Sequence, residues 1–153
     1  MKKISQIIAL VAIAFTSSVY AQTAESTTLS SYYQMKDALV SGNTTQAAEA
    51  AGALVKSANA DAKLSDAEKA TLVKNAEMIA KSKDLKVQRD SFAPLSNQVI
   101  ELVKKKALAA DVAYVQYCPM KKASWLSTET AIKNPYYGNA MLTCGSVKET
   151  LKK

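Results

Sequence analysis

From Leu29 to Ala109 apolar residues recur every three or four positions in a background rich in Ala, Lys, Leu, Val and Gln, with no stretch of strict alternation. That period predicts helices, each with one face turned to a core. The first runs from about Ser30 to Ser41, with Tyr32, Met35 and Leu39 on one face, and stops at Gly42-Asn43, residues suited to a left-handed C-terminal cap. The second, about Gln46 to Asn59 with Thr44 or Thr45 as its cap, carries Ala47, Ala51, Leu54, Val55 and Ala58. This narrow stripe of mostly small side chains allows close helix approach. Ser65-Asp66-Ala67-Glu68 has the form of a capping box and opens a third helix to about Ser82, with Leu72, Val73, Ala76, Ile79 and Ala80 inward. A fourth is expected from near Asp84 to about Ala109 through Leu85, Phe92, Leu95, Val99 and Leu102. Pro94 interrupts it and predicts either a kink or a fresh helix start. Connections of about two to six residues favour antiparallel neighbours, so the expected fold is all-α, an up-down four-helix bundle.

After Ala109 the texture changes: Val112, Tyr114 and Val115 are β-formers, Pro119 and Pro135 punctuate, and Tyr, Trp and Asn replace the Ala-Lys background. We read Val112 to Tyr117 as extended and Asn134 to Gly138 as a turn. Met141 to Lys148 is a return segment, pairing with the first as a short β-hairpin or forming a helical turn. The C-terminal segment, about 112–150, is thus an irregular appendage to one domain spanning 29–153.

The first 21 residues read as a signal peptide. Lys2 and Lys3 precede an apolar run from Ile7 to Phe15, and Val19-Tyr20-Ala21 offers a site for cleavage after Ala21. That run is shorter than the ~20 residues needed to span a bilayer, and no later segment approaches that length. The mature chain is expected in the periplasm, without a transmembrane segment and with 22–28 as a flexible N-terminus.

Setting Lys2 and Lys3 aside with the leader takes the formal charge from +7 to +5, and Arg89 is the only arginine. Nucleic-acid binding is not expected, because the excess is mild and spread out and the Lys104-Lys105-Lys106 cluster suits a helix C-terminus. Histidine is absent altogether, which removes the commonest general base and the commonest zinc ligand. With four glycines and no phosphate-loop spacing among them, the chain is read as non-enzymatic. Arg89 is expected to clamp a carboxylate or backbone carbonyls that tie the bundle to the C-terminal segment. Trp125, Tyr117, Tyr136 and Tyr137 are expected to form a small core beneath that segment.

The remaining candidate chemistry is sulfur. Cys118 and Met120 lie two positions apart in Tyr117-Cys-Pro-Met120, and Met141 and Cys144 three apart in Met141-Leu-Thr-Cys-Gly145; these are the only cysteines. Thiolate and thioether ligands select soft ions such as Cu(I) over hard ones. On a strand, Cys118 and Met120 would share a side; on one helical turn Met141 and Cys144 would share a face, and the turn at 134–138 would supply the reversal that lets them converge. An equal reading is a Cys118–Cys144 disulfide, suited to an oxidising compartment and worth roughly 3 to 4 kcal/mol in the chain-entropy model. The two states can also alternate, a reduced pair binding metal and an oxidised pair not. Met120 and Met141 have a plainer role as flexible core fillers.

Several blocks together resemble a known group of proteins. Leu29-Ser-Ser-Tyr-Tyr-Gln-Met-Lys-Asp-Ala-Leu-Val40, Gln88-Arg89, Phe92-Ala-Pro-Leu-Ser96, Tyr117-Cys-Pro-Met120, Trp125-Leu-Ser127, Asn134-Pro-Tyr-Tyr-Gly138 and Met141-Leu-Thr-Cys-Gly145 look like an uncharacterised family of exported bacterial domains. Its members stand alone or are appended to periplasmic adaptor subunits of copper and silver efflux pumps. The resemblance implies heavy-metal handling with Cu(I) or Ag(I) as the ion, and an efflux adaptor or another envelope protein as partner. A second resemblance is to short heavy-metal-binding modules that pair Tyr-x-Cys-Pro-Met-His-Pro with a later Cys-Gly-Met. Here Lys121 stands where that histidine would be, and Met141 precedes the second cysteine. By that analogy only Cys118, Met120 and Cys144 carry over.

Overall fold

The computed structural model describes residues 27–106, 108 and 110–152. The expected leader, its cleavage after Ala21 and the 22–26 part of the N-terminal segment lie outside the described residues. Four helices come first, α1 (Thr27–Ser41), α2 (Thr44–Ala60), α3 (Asp66–Lys81) and α4 (Leu85–Lys104). Three strands follow, β1 (Val112–Cys118), β2 (Ala123–Ser127) and β3 (Ser146–Lys152), with a single 3-10 turn at Gly138–Ala140 before the last. No helix among the described residues is long and apolar enough to cross a membrane.

Each helix packs on the next in sequence, and the stripes read from the sequence largely face inward: Tyr32, Met35, Leu39, Ala47, Ala51, Leu54, Ala58, Leu72, Ala76, Ile79, Phe92, Leu95 and Val99 are fully buried, whereas Val73, also expected inward, is half-buried and outside the core cluster. Gly42 takes the left-handed conformation, with φ of 73°. Asn43, rather than Thr44 or Thr45, then caps α2, its side chain accepting from the Gln46 amide. Ser65 and Glu68 form the reciprocal capping box at α3. The Ser65 amide and hydroxyl, donating to the Glu68 carboxylate, hold it below the usual carboxylate range. α4 runs unbroken through Pro94; the proline is exposed, so the carbonyl that loses its donor one turn back can turn to water. It ends at Lys104, short of the expected Ala109, itself outside the described residues. Gln88, fully buried, donates through Nε2 to the carbonyls of Thr44 and Ser82, both at 2.9 Å. One amide thereby joins the start of α2 and the end of α3 to α4.

The C-terminal segment is more ordered than expected, and this corrects the all-α reading: it is a three-stranded antiparallel sheet in the order β2-β1-β3. The chain first reverses at 119–122, directly after β1, so that Cys118 pairs with Ala123 and Gln116 with Trp125. This first reversal was not expected; the turn expected at 134–138 also forms, with the Gly138 amide donating to the Asn134 carbonyl at 2.9 Å. β3 returns on the other edge of β1, and the register skips Lys148 between Val115↔Glu149 and Gln116↔Val147. Such a bulge twists the outer edge, and with Lys148 and Lys152 on it, it discourages pairing with other strands.

The opposite edge is closed by the bundle. β2 packs on α4; its Leu126 amide donates to the Tyr32 hydroxyl at 2.9 Å, and its Ser124 carbonyl accepts from the Tyr136 hydroxyl at 2.6 Å. The Tyr32 hydroxyl also lies 2.5 Å from the Ser96 hydroxyl, and burial pushes its pKa well above the ordinary tyrosine value. Tyr32→Phe strands a buried strand amide and a buried serine, so we expect a loss of about 1 to 3 kcal/mol in urea unfolding. An unchanged midpoint would show that water replaces the hydroxyl.

Candidate functional site

The two cysteines meet where β1 ends. Cys118, its last residue, is fully buried, and its Sγ lies 3.4 Å from Sγ of half-buried Cys144. That is hydrogen-bond contact between thiols rather than the ~2.05 Å of a covalent bond. Burial works to raise the Cys118 pKa, but it is outweighed. The Lys121 amide, the Cys144 thiol, the Asn134 side chain and the Met120 amide all favour its thiolate, and the net shift is downward. Cys144 moves the other way, first because its thiol donates to Cys118 and then because of burial. The pair is therefore polarised, the inner sulfur being the more acidic of the two and the outer one held as the proton donor.

This polarisation follows from the local chain. Pro119 favours an extended Cys118, and the turn at 119–122 closes with Lys122 in the left-handed region at φ of 54°. Backbone amides of Met120 and Lys121 are folded back onto the sulfur that precedes them. Amides aimed at a sulfur stabilise its charged form.

The partner cysteine is held by Asn134, a residue sequence reading placed only in a turn. Fully buried, it donates from Nδ2 to the Cys144 carbonyl at 2.8 Å and accepts the Tyr136 amide on Oδ1 at 2.9 Å. Its own amide donates to the Leu142 carbonyl at 2.8 Å, and its carbonyl accepts from Gly138 at 2.9 Å. Asn134 thus pins the 142–144 stretch to the 134–138 turn. The only advance signal was Asn before Pro, a common turn start. Gly145 follows in a conformation open to glycine, with φ of 150°, and a Cβ there would stand 2.9 Å from Cη2 of Trp125. The indole is the floor on which this corner rests.

The thioethers are placed less closely. Met120 sits in the turn rather than on the strand, its side chain 65% exposed, so the expected two-residue strand spacing with Cys118 does not hold. Met141 is half-buried, and the Cys144 amide donates to its carbonyl at 3.0 Å, a tight turn rather than the helical one that a shared face would need. Among the described residues no three His, Cys, Asp or Glu side chains gather as a metal site.

Beneath the corner lies the aromatic core expected of Trp125 and Tyr136, extended into the bundle by Phe92 and Tyr32. Ring centroids are 5.9 Å apart for Trp125–Tyr136, 5.8 Å for Phe92–Tyr136 and 5.3 Å for Tyr32–Phe92. Tyr117 and Tyr137 are only half-buried, and Lys148 stands over the Tyr117 ring. Arg89 donates through Nη2 to one backbone carbonyl, that of Leu39 near the end of α1, at 2.9 Å, a bond within the bundle rather than the expected one to the C-terminal segment. Gly138, with φ of 55°, packs so close to it that a Cβ would lie 2.5 Å from that nitrogen. Sheet side and bundle are joined there.

A helical domain bearing a small sheet, with a polarised dithiol at the junction, defines the class. The model of a family of proteins of unknown function, DUF3347, matches residues 28–110, and the chain belongs to that family. The match covers the helices and stops before the cysteines. No curated protein and no solved structure matches the chain.

Proposed function

We propose that this is an exported, non-enzymatic module that binds one soft metal ion, Cu(I) or Ag(I), between Cys118 and Cys144, with Met120 and Met141 as adjoining thioethers. The observation that carries this reading is the 3.4 Å approach of the two sulfurs, one of them already favoured as a thiolate. An ion takes the place of the proton they share. Thiolate donors suit Cu(I), whereas structural zinc asks for four ligands and calcium for six or more oxygens, neither of which this corner gathers. The exposed Met120 side chain lies on the solvent side, where an incoming ion would first be met. The setting we propose is copper or silver handling in the periplasm, beside an efflux adaptor or another envelope protein.

The same geometry supports a second reading, a structural Cys118–Cys144 disulfide in an interaction module. An oxidant would take two electrons and two protons from the pair, and the closed bond would bar the metal. A thiol oxidoreductase fits less well, since such enzymes expose the low-pKa sulfur and here it is the buried one.

The deciding experiment is a competition titration of fully reduced protein against a Cu(I) chelator. One equivalent should bind, and Cys118→Ser or Cys144→Ser should weaken binding at least about 100-fold, or about 2.8 kcal/mol, with Met120→Leu weakening it less. Absence of binding, with a disulfide in protein isolated from the periplasm, would leave the second reading.

A further inference from the structure

Beside the sulfur corner, on the α4 side of the 119–122 turn, is an open concavity of about 410 Å³, within the size range of small-molecule clefts. Its charged lining is Lys86, Arg89 and Lys121 against the single carboxylate of Asp90. Asp90 is fully engaged: Oδ1 accepts from Lys121 at 2.5 Å and Oδ2 from Lys86 at 2.9 Å. One carboxylate shared by two ammonium groups leaves one positive charge over, and the Arg89 guanidinium brings the excess to two. Arg89 adds an Nε that is buried with no acceptor, an arrangement that calls for a partner. Leu85 and Tyr137 give the cavity carbon walls, which an inorganic ion would leave unused.

We infer that this cavity binds a small organic dicarboxylate, its two charges matching the excess left by Lys86, Arg89 and Lys121 and its carbon skeleton lying on Leu85 and Tyr137. Asp90 acts as the spacer that holds the two lysines apart. The inference is independent of metal binding, yet the two sites share a residue: the Lys121 side chain lines the cavity while its amide lies on Cys118.

The test is a titration of the reduced, metal-free protein with succinate, followed by amide NMR shifts, with inorganic phosphate in a parallel arm. Succinate should saturate with a dissociation constant of about 1 mM or tighter, shifting residues 85–90, 121 and 137, and weaken as salt is raised. Lys121→Gln should weaken it at least about tenfold. Lys86→Gln, at a side chain 86% exposed and safe for folding, should also weaken it. Non-saturating shifts spread over all surface lysines, binding untouched by both variants, or phosphate binding as tightly as succinate would each overturn the assignment.

Discussion

Replacing Trp125 with alanine lowers the unfolding free energy by about 3 to 5 kcal/mol and lets the two cysteine sulfurs drift apart. The side chain is fully buried and ties β2 to the two segments that follow it, standing edge-on to Tyr136 and carrying the backbone at Gly145. Its removal leaves a cavity at the one place where β2, the 134–138 turn and the Cys144 segment converge. Urea unfolding reads the first effect, and the yield of Cys118–Cys144 cross-link under mild oxidant reads the second. A variant with lost stability but an unchanged cross-link yield would show that Asn134 positions Cys144 without help from the indole. Trp125→Phe should lose less, because it keeps a ring and removes an indole N–H that is buried without an acceptor.

The second large effect is expected at Asn134. In Asn134→Ala the Cys144 carbonyl and the Tyr136 amide both lose their partner. At about 1 to 3 kcal/mol for each stranded buried group, the expected cost is about 2 to 5 kcal/mol. Asn134→Asp separates the two roles, since it keeps an acceptor for Tyr136 but cannot donate to Cys144. If the side-chain donor is what holds the sulfurs together, the aspartate variant should lose the rapid cross-link while retaining more stability than the alanine one. Equal cross-linking in both variants and the parent would move the credit to the backbone bonds of residue 134.

The helices were legible because their evidence is local. A period of three to four, a Ser-x-x-Glu box and a Gly-Asn stop each act within one or two turns of the chain, and the residues of those stripes now fill the core. β2 was not legible. Ser124-Trp-Leu-Ser127 shows no alternation, because it is buried on both faces: Trp125 and Leu126 point to opposite sides and both are covered. Gln88 and Asn134 escaped for a related reason. A polar side chain in the interior is recognised by the carbonyls that surround it, and those come from residues up to 44 positions away. The cysteines were singled out by residue type alone; their approach depended on a strand end, a tight turn and an asparagine whose cooperation no spacing reveals.

The tyrosine closure of β2 makes the boundary at residue 110, where the family match ends, a poor place to divide the molecule. Tyr32 and Phe92 lie on helices, but among the groups they satisfy and cover are the Leu126 amide of β2 and the Tyr136 ring of the 134–138 turn. A helical fragment cut there would expose a phenol and an aromatic face made for burial, and the sheet alone would keep an open edge beside its own unpaired amide. We therefore expect helices and sheet to melt as one cooperative unit, so that a perturbation at the cysteine corner reaches the stability of the whole bundle.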